Sequence, residues 1–335
     1  SNSSTTTASS TSQSATRTSW VLYITLLILR VVVCPFLPGY IHPDEFFQSG
    51  QELWYGCAST KGYTTPWEFE PQNALRSVFP PTLLTYLPLQ VYTYFVYLWS
   101  MMMNGSVSGG DNNVPQPEFL SGLEILVVPR IMCSILSILT IDTTVWAIAT
   151  RQEISTLNRF SRLQSVPTSV LLLASSWSAL GMLSRPFSNT LEACLLASLL
   201  RLTSIIKLRL TSSHTDDNDK GGKSKGSSIR GPHTALFVGI GALCSLGTFT
   251  RFTFVFFGFP TVVSMLITLF QIYGWKNIRK LLLRIISMGL ALIAIAISII
   301  AADTRYYSSL VDDEDNDNNQ RNDDNQRNDE SILSS

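Results

Sequence analysis

Long apolar runs alternate along this chain with short polar connections. The runs at Trp20–Cys34, Pro81–Met102, Leu123–Thr150, Val166–Leu183, Thr190–Ile206, Thr234–Thr250, Phe252–Tyr273 and Leu281–Ala302 approach the length that crosses a bilayer, about twenty residues. They predict spanning helices in an all-α, polytopic transmembrane bundle. Pro88, Pro129, Pro167 and Pro260 fall near span ends or kinks, where neighbouring helices satisfy the freed carbonyls. The first run follows a single basic residue, Arg17, and no small-residue cleavage site. It reads as a retained span rather than a signal peptide.

Three polar segments divide the pattern. Residues 1–19 are almost all Ser, Thr, Ala and Asn and are expected to be disordered. Residues 211–231 mix Asp, Lys, Gly and Ser and read as a flexible loop. Residues 308–335 form an acidic, Asn/Asp-rich tail with a near repeat, Asn319–Asp323 and Asn325–Asp329, expected to stay solvated and unfolded. The membrane domain then covers 20–307, with a polar first loop at about 35–80.

Basic residues in short loops set the orientation. Arg151–Arg162, Lys207–Arg230 and Lys276–Lys280 read as cytoplasmic, which places Arg185, Arg251 and Asp303 on the luminal side. A luminal first loop then requires an odd number of crossings between Ser49 and Arg151. The apolar runs supply two, so one run in that interval is assigned wrongly. Asn104-Gly105-Ser106 is a glycosylation sequon in the disputed stretch.

Charged residues make up 14% of the 335 residues, against about 25% in soluble domains, which fits a membrane protein. The net charge is zero, so no domain-wide basic surface exists for nucleic acid. Cys133, Cys194 and Cys244 lie in apolar runs and read as small buried hydrophobes. Cys34 and Cys57 flank the first loop and are free to pair in an oxidising lumen, but spacing alone establishes no bridge.

Candidate chemistry concentrates in the loop that follows the first span. Tyr40-Ile41-His42-Pro43-Asp44-Glu45-Phe46-Phe47-Gln48-Ser49 sets two adjacent carboxylates at a membrane–water boundary. A carboxylate there is costly to desolvate. Asp44 and Glu45 point in different directions, so one suits a general base and the other an acceptor of sugar hydroxyls. The alternative is that Asp44 only caps a short helix. Pro66-Trp67-Glu68-Phe69 suits an amphipathic piece on the membrane surface. Arg76, just before a run, suits a phosphate or carboxylate, or a snorkelling cation. Arg185-Pro186-Phe187-Ser188-Asn189-Thr190-Leu191-Glu192 joins two runs. Its Glu192 needs a cation, Arg185 or another one in the membrane. Arg251 sits between two runs, and Asp303 ends the last one. Arg130 and Asp142 are too far apart along one helix to touch, so each needs a partner elsewhere. Gly239-Ile240-Gly241 reads as helix packing rather than a phosphate cradle.

Together these fragments resemble the dolichol-phosphate-mannose-dependent α-mannosyltransferases of the endoplasmic reticulum, and within them the branch of the fourth GPI mannosyltransferase. Gly39–Ser49, Pro66–Phe69 and Arg76–Pro80 carry the resemblance, supported by Arg185–Glu192, Arg251–Phe254 and Asp303–Tyr307. It implies a GT-C fold in the reticulum membrane, with a luminal first loop carrying short amphipathic helices. It implies dolichyl phosphate mannose as donor, a GPI-precursor glycolipid as acceptor, inversion at the sugar, and neither metal nor other cofactor. Asp44 matches the family's proposed base, with Glu45 assisting. His42, Gln48, Trp67, Glu68, Arg76, Arg185, Asn189, Glu192, Arg251 and Asp303 are the candidate substrate-binding residues. Family members run on past the Asp303 region with more spans, so the chain is expected to be a truncated piece. Two other readings compete. One is a relative acting on the N-glycan precursor; the other is a transporter without chemistry, for which no internal repeat speaks.

Overall fold

The structure, a computed structural model, describes residues 6–37, 67–70, 72, 76–104, 120–156, 165–218, 234–273 and 278–333. These residues form helices and no strand. Helix α1 (Thr6–Ile28) continues through a π turn (Leu29–Val33) into a 3₁₀ turn (Cys34–Phe36). A helical turn (Phe79–Pro81) and a π turn (Thr82–Tyr86) lead into α2 (Leu87–Asn104). Helix α3 (Gly122–Ser137) passes through a π turn (Ile138–Asp142) into α4 (Thr143–Thr156). Then come α5 (Thr168–Ser175), a π turn (Ser178–Met182), α6 (Ser188–Asn218), α7 (Thr234–Thr250), α8 (Phe254–Tyr273) and α9 (Ile278–Leu333).

Four helical stretches among the described residues are long and apolar enough to cross a membrane: Thr16–Phe36, Gly122–Thr150, Phe254–Tyr273 and Ile278–Leu310. The shorter α7 is apolar too. On α9 the exposed Leu283, Ile286, Leu290, Ile293 and Ile297 recur at helical spacing. Such a stripe is a liability in water and the ordinary outer face of a helix in lipid. The chain is a multi-pass membrane protein of all-α architecture.

The helical ends differ from what composition predicts. Helix α1 reaches back to Thr6, and α9 runs to Leu333 through the Asp/Asn-rich stretch. No Gly or Pro occurs from Thr6 to Cys34, or from Leu290 to Leu333, so no breaker stops either helix beyond its apolar part. The run Val166–Leu183 is not one helix. The chain turns extended at Ser176, whose hydroxyl accepts from the Ala179 amide at 3.1 Å. That local bond competes with the helical one and splits the run into two short pieces.

A buried ion pair locks α1 to the α3–α4 rod. Arg30 Nη1 meets Asp142 Oδ1 at 3.0 Å, and both side chains are 1% exposed. Tyr23 donates to Asp142 Oδ2 at 3.2 Å, and Arg30 Nη2 also donates to Ser137. Arg130 donates to the Pro35 and Leu37 carbonyls at 3.2 and 2.9 Å, closing the end of α1. So Arg130 and Asp142 each found a partner on another helix. The contact order, Arg130 with Leu37 and Asp142 with Tyr23, makes the two rods antiparallel.

A second set of contacts fixes the heading of α2. Tyr92 donates to Glu124 at 2.7 Å, and Leu89 packs with Ile125. The π turn Thr82–Tyr86 touches α3 as well. Helix α2 is therefore antiparallel to α3 and parallel to α1. It runs on toward the side where α1 ends and does not return. A capping box between Ser121 and Glu124 starts α3, and the same carboxylate holds Tyr92, so one residue sets both the helix start and the hairpin. In the first turn of α4, Trp146 packs against Trp20 with ring centroids 5.4 Å apart and planes tilted by 40°. Between the first loop and Arg151, α3–α4 is the stretch among the described residues that is long and apolar enough to cross a membrane, and α2 is not among the four such stretches.

The core lies among α6, α7, α8 and α9, around Leu199, Ile206, Phe237, Ile240, Met265 and Leu269. Helices α7 and α9 approach so closely that a Cβ on Gly241 would collide with the Met288 carbonyl. The Gly239–Gly241 pair is helix packing, as its setting in an apolar run predicts. Cys133 and Cys194 are buried, Cys244 is partly buried, and Cys34 is buried at the end of α1.

Two outcomes are expected. Asp142→Ala strands the buried Arg30 and should cost about 3–5 kcal/mol, while an Arg30→Met/Asp142→Leu double variant should recover most of it. Unfolding in detergent measures both. Asn104 ends α2 on the side where α1 ends. With that side luminal, as the loop charges predict, Asn104 should carry a glycan. An endoglycosidase-sensitive mass shift in microsomes, lost in Asn104→Gln, reads it.

Candidate functional site

A cleft of about 1050 Å³ opens where several helix ends meet. Glu68, Arg76 and Ser77 line it from the segment before the Phe79–Pro81 turn. Ser188 lines it from the start of α6, Thr250–Thr253 from the α7–α8 turn, and Asp303, Thr304 and Tyr307 from α9. Four sequence-predicted residues, Glu68, Arg76, Arg251 and Asp303, thus share one cavity. They come from parts of the chain up to 235 positions apart (303 minus 68).

Each arginine is held by a glutamate of another element or turn. Glu68, in the 3₁₀ turn Trp67–Phe69, engages Arg76 through both carboxylate oxygens. Two-point contact of this kind fixes the guanidinium plane. Glu192, one helical turn into α6, meets Arg251 Nε at 3.6 Å and accepts from Thr253 Oγ1 at 2.8 Å. Its cation is therefore Arg251 rather than Arg185. A 3.6 Å contact is long for a charge-assisted bond, so it orients Arg251 without consuming it. Both arginines keep about a third of their side-chain surface exposed, 35% each.

The α7–α8 turn that presents Arg251 is stiff for a packing reason. Phe254 inserts between Gly247 and Gly258, and a Cβ on either glycine would strike its ring. Asp303 does not stand free in the cleft. Its Oδ1 accepts from Ser77 Oγ at 3.2 Å and from the Val78 amide at 3.0 Å. Tyr307 donates to the Arg76 carbonyl at 2.7 Å, and Tyr306 and Tyr307 pack on Phe69 and Val78.

The remaining candidates are not gathered there. Arg185 is buried, within electrostatic reach of Cys34 at the end of α1, and does not line the cleft. Asn189 is exposed at the start of α6 and also stands apart from it. Trp67 lies in the 3₁₀ turn beside Glu68. His42, Asp44, Glu45 and Gln48 lie outside the described residues. Sequence reasoning passed over Ser77, Ser188 and Tyr307. The signal for Tyr307 was present: Asp303, Tyr306 and Tyr307 share one helix face at i, i+3 and i+4.

A profile of the Alg9-like mannosyltransferase family matches residues 21–314. The match takes in every lining residue of the cleft. The chain belongs to the Alg9-like mannosyltransferase family. Among curated relatives, the human protein named GPI alpha-1,2-mannosyltransferase 4 is 30% identical over 239 residues, covering 71% of this chain and 34% of that protein. GPI mannosyltransferase 4 of Drosophila melanogaster is 27% identical over 300 residues, 84% of this chain and 39% of its own. The Saccharomyces cerevisiae protein of that name is 44% identical over 73 residues, 22% of this chain and 13% of its own. The chain spans under half the length of these relatives. No solved structure matches. A cleft that presents two arginines at helix ends suits an anionic group.

Proposed function

We propose that this chain carries a GPI α1,2-mannosyltransferase site. It moves mannose from dolichyl phosphate mannose to the third mannose of a GPI precursor, on the luminal face of the endoplasmic reticulum membrane. The observation that carries this reading is the meeting of Arg76 and Arg251 in one cleft of an Alg9-like chain whose relatives are named GPI mannosyltransferase 4.

The chemistry follows from the substrates. The acceptor hydroxyl attacks the anomeric carbon from the face opposite the β-linked phosphate. A new carbon–oxygen bond forms as the sugar–phosphate bond breaks, and the product is α-linked. The hydroxyl proton passes to Asp44 as general base. The bonding pair leaves on the lipid phosphate. Charge grows on that phosphate in the transition state, and Arg76 and Arg251 stabilise it there. Glu45, His42 and Gln48, from the same loop as the base, contact the acceptor sugar.

Expression in a strain lacking the fourth GPI mannosyltransferase, followed by glycolipid analysis, tests the reading. GPI lipids with a fourth mannose should return. Asp44→Asn should insert normally and lose transfer by about 10²–10⁴-fold, the usual contribution of a general base. Full transfer by that variant would remove Asp44 from its role. Rescue of a truncated dolichol oligosaccharide instead would move the chain to the N-glycan branch.

A further inference from the structure

One face of α9 grips the segment that carries Arg76. Asp303 Oδ1 takes both the Ser77 hydroxyl and the Val78 amide, at 3.2 and 3.0 Å. One turn later Tyr307 Oη donates to the Arg76 carbonyl at 2.7 Å. The rings of Tyr306 and Tyr307 meet edge to face, centroids 5.3 Å apart, and close over Phe69 and Val78. Two of the three hydrogen bonds go to backbone groups. They fix the path of residues 76–78 whatever their side chains, and so the point from which the Arg76 guanidinium starts. Glu68, on the Phe69 side of the same clasp, then sets its plane.

We propose that Asp303 and Tyr307 are positioning residues that aim Arg76 at an anionic lipid phosphate in the cleft. The proposal rests on the reading above that Arg76 faces that phosphate. The roles differ from direct binding. Asp303 does its work as a neutral acceptor would, because what it needs is an oxygen for Ser77 and Val78. Tyr307 does its work through one hydroxyl, because its ring packing survives without it.

Dolichyl phosphate binding to the full chain in nanodiscs tests this without requiring sugar transfer. Tyr307→Phe should weaken binding about three- to tenfold, the span of one net hydrogen bond. In an Arg76→Ala background the same change should have no further effect, since contacts that act through one group are not additive. Asp303→Ala should weaken binding as Tyr307→Phe does, and Asp303→Asn, which keeps the acceptor oxygen, should restore it. Multiplying effects of Tyr307→Phe and Arg76→Ala would overturn the proposal, as would absence of binding by the unaltered chain. A loss in Asp303→Asn as large as in Asp303→Ala would show a charge requirement and overturn the Asp303 role. Coupled binding in a chain that transfers no mannose upholds the positioning and sinks only the transfer reading.

Discussion

The desolvated pair Arg30–Asp142 is the constraint on which the arrangement depends. Two charges in the apolar interior are tolerated only when they face each other and their remaining groups are bonded. Here Tyr23 bonds the second Asp142 oxygen and Ser137 accepts from Arg30 Nη2, while the buried Arg30 Nε finds no hydrogen-bond partner among the described residues. This permits one register between α1 and the α3–α4 rod. That register decides where α1 ends, and Arg130 then closes that end through the Pro35 and Leu37 carbonyls.

Contacts made far along the chain assemble the cleft. Arg76–Val78 precede the core helices by more than a hundred positions, yet α9 holds them through Asp303 and Tyr307. Closing so long a loop costs entropy, and the cost rises only slowly with length. A carboxylate bonded to a backbone amide, with two packed rings beside it, offsets it locally. The family profile reaches residue 314, just past this clasp.

Much of this was legible in the residues. Apolar length announced the crossing helices, and intramembrane charge announced Arg130, Asp142 and Glu192 as residues in need of partners. Motifs at helix ends announced Glu68, Arg76, Arg251 and Asp303, which converge. Partner identity was not legible. Glu192 lies seven positions from Arg185, yet pairs with Arg251, because tertiary packing brings the α7–α8 turn alongside it. The direction of α2 was hidden too. Apolar length is blind to heading, and the heading rests on the Tyr92–Glu124 bond. That α1 reaches back to Thr6 and α9 runs on to Leu333 was not legible either, because polar composition predicts solvation and Gly and Pro, the strongest helix breakers, are absent there.

The Phe254 wedge has a mechanical consequence. Its ring sits in a notch cut by Gly247 and Gly258, so the hairpin bearing Arg251 behaves as a fixed jaw. The opposing jaw, Glu68, Phe69 and Arg76–Val78, is tethered rather than wedged. Any opening of the mouth then comes from the tethered side, with the fixed side acting as its anvil.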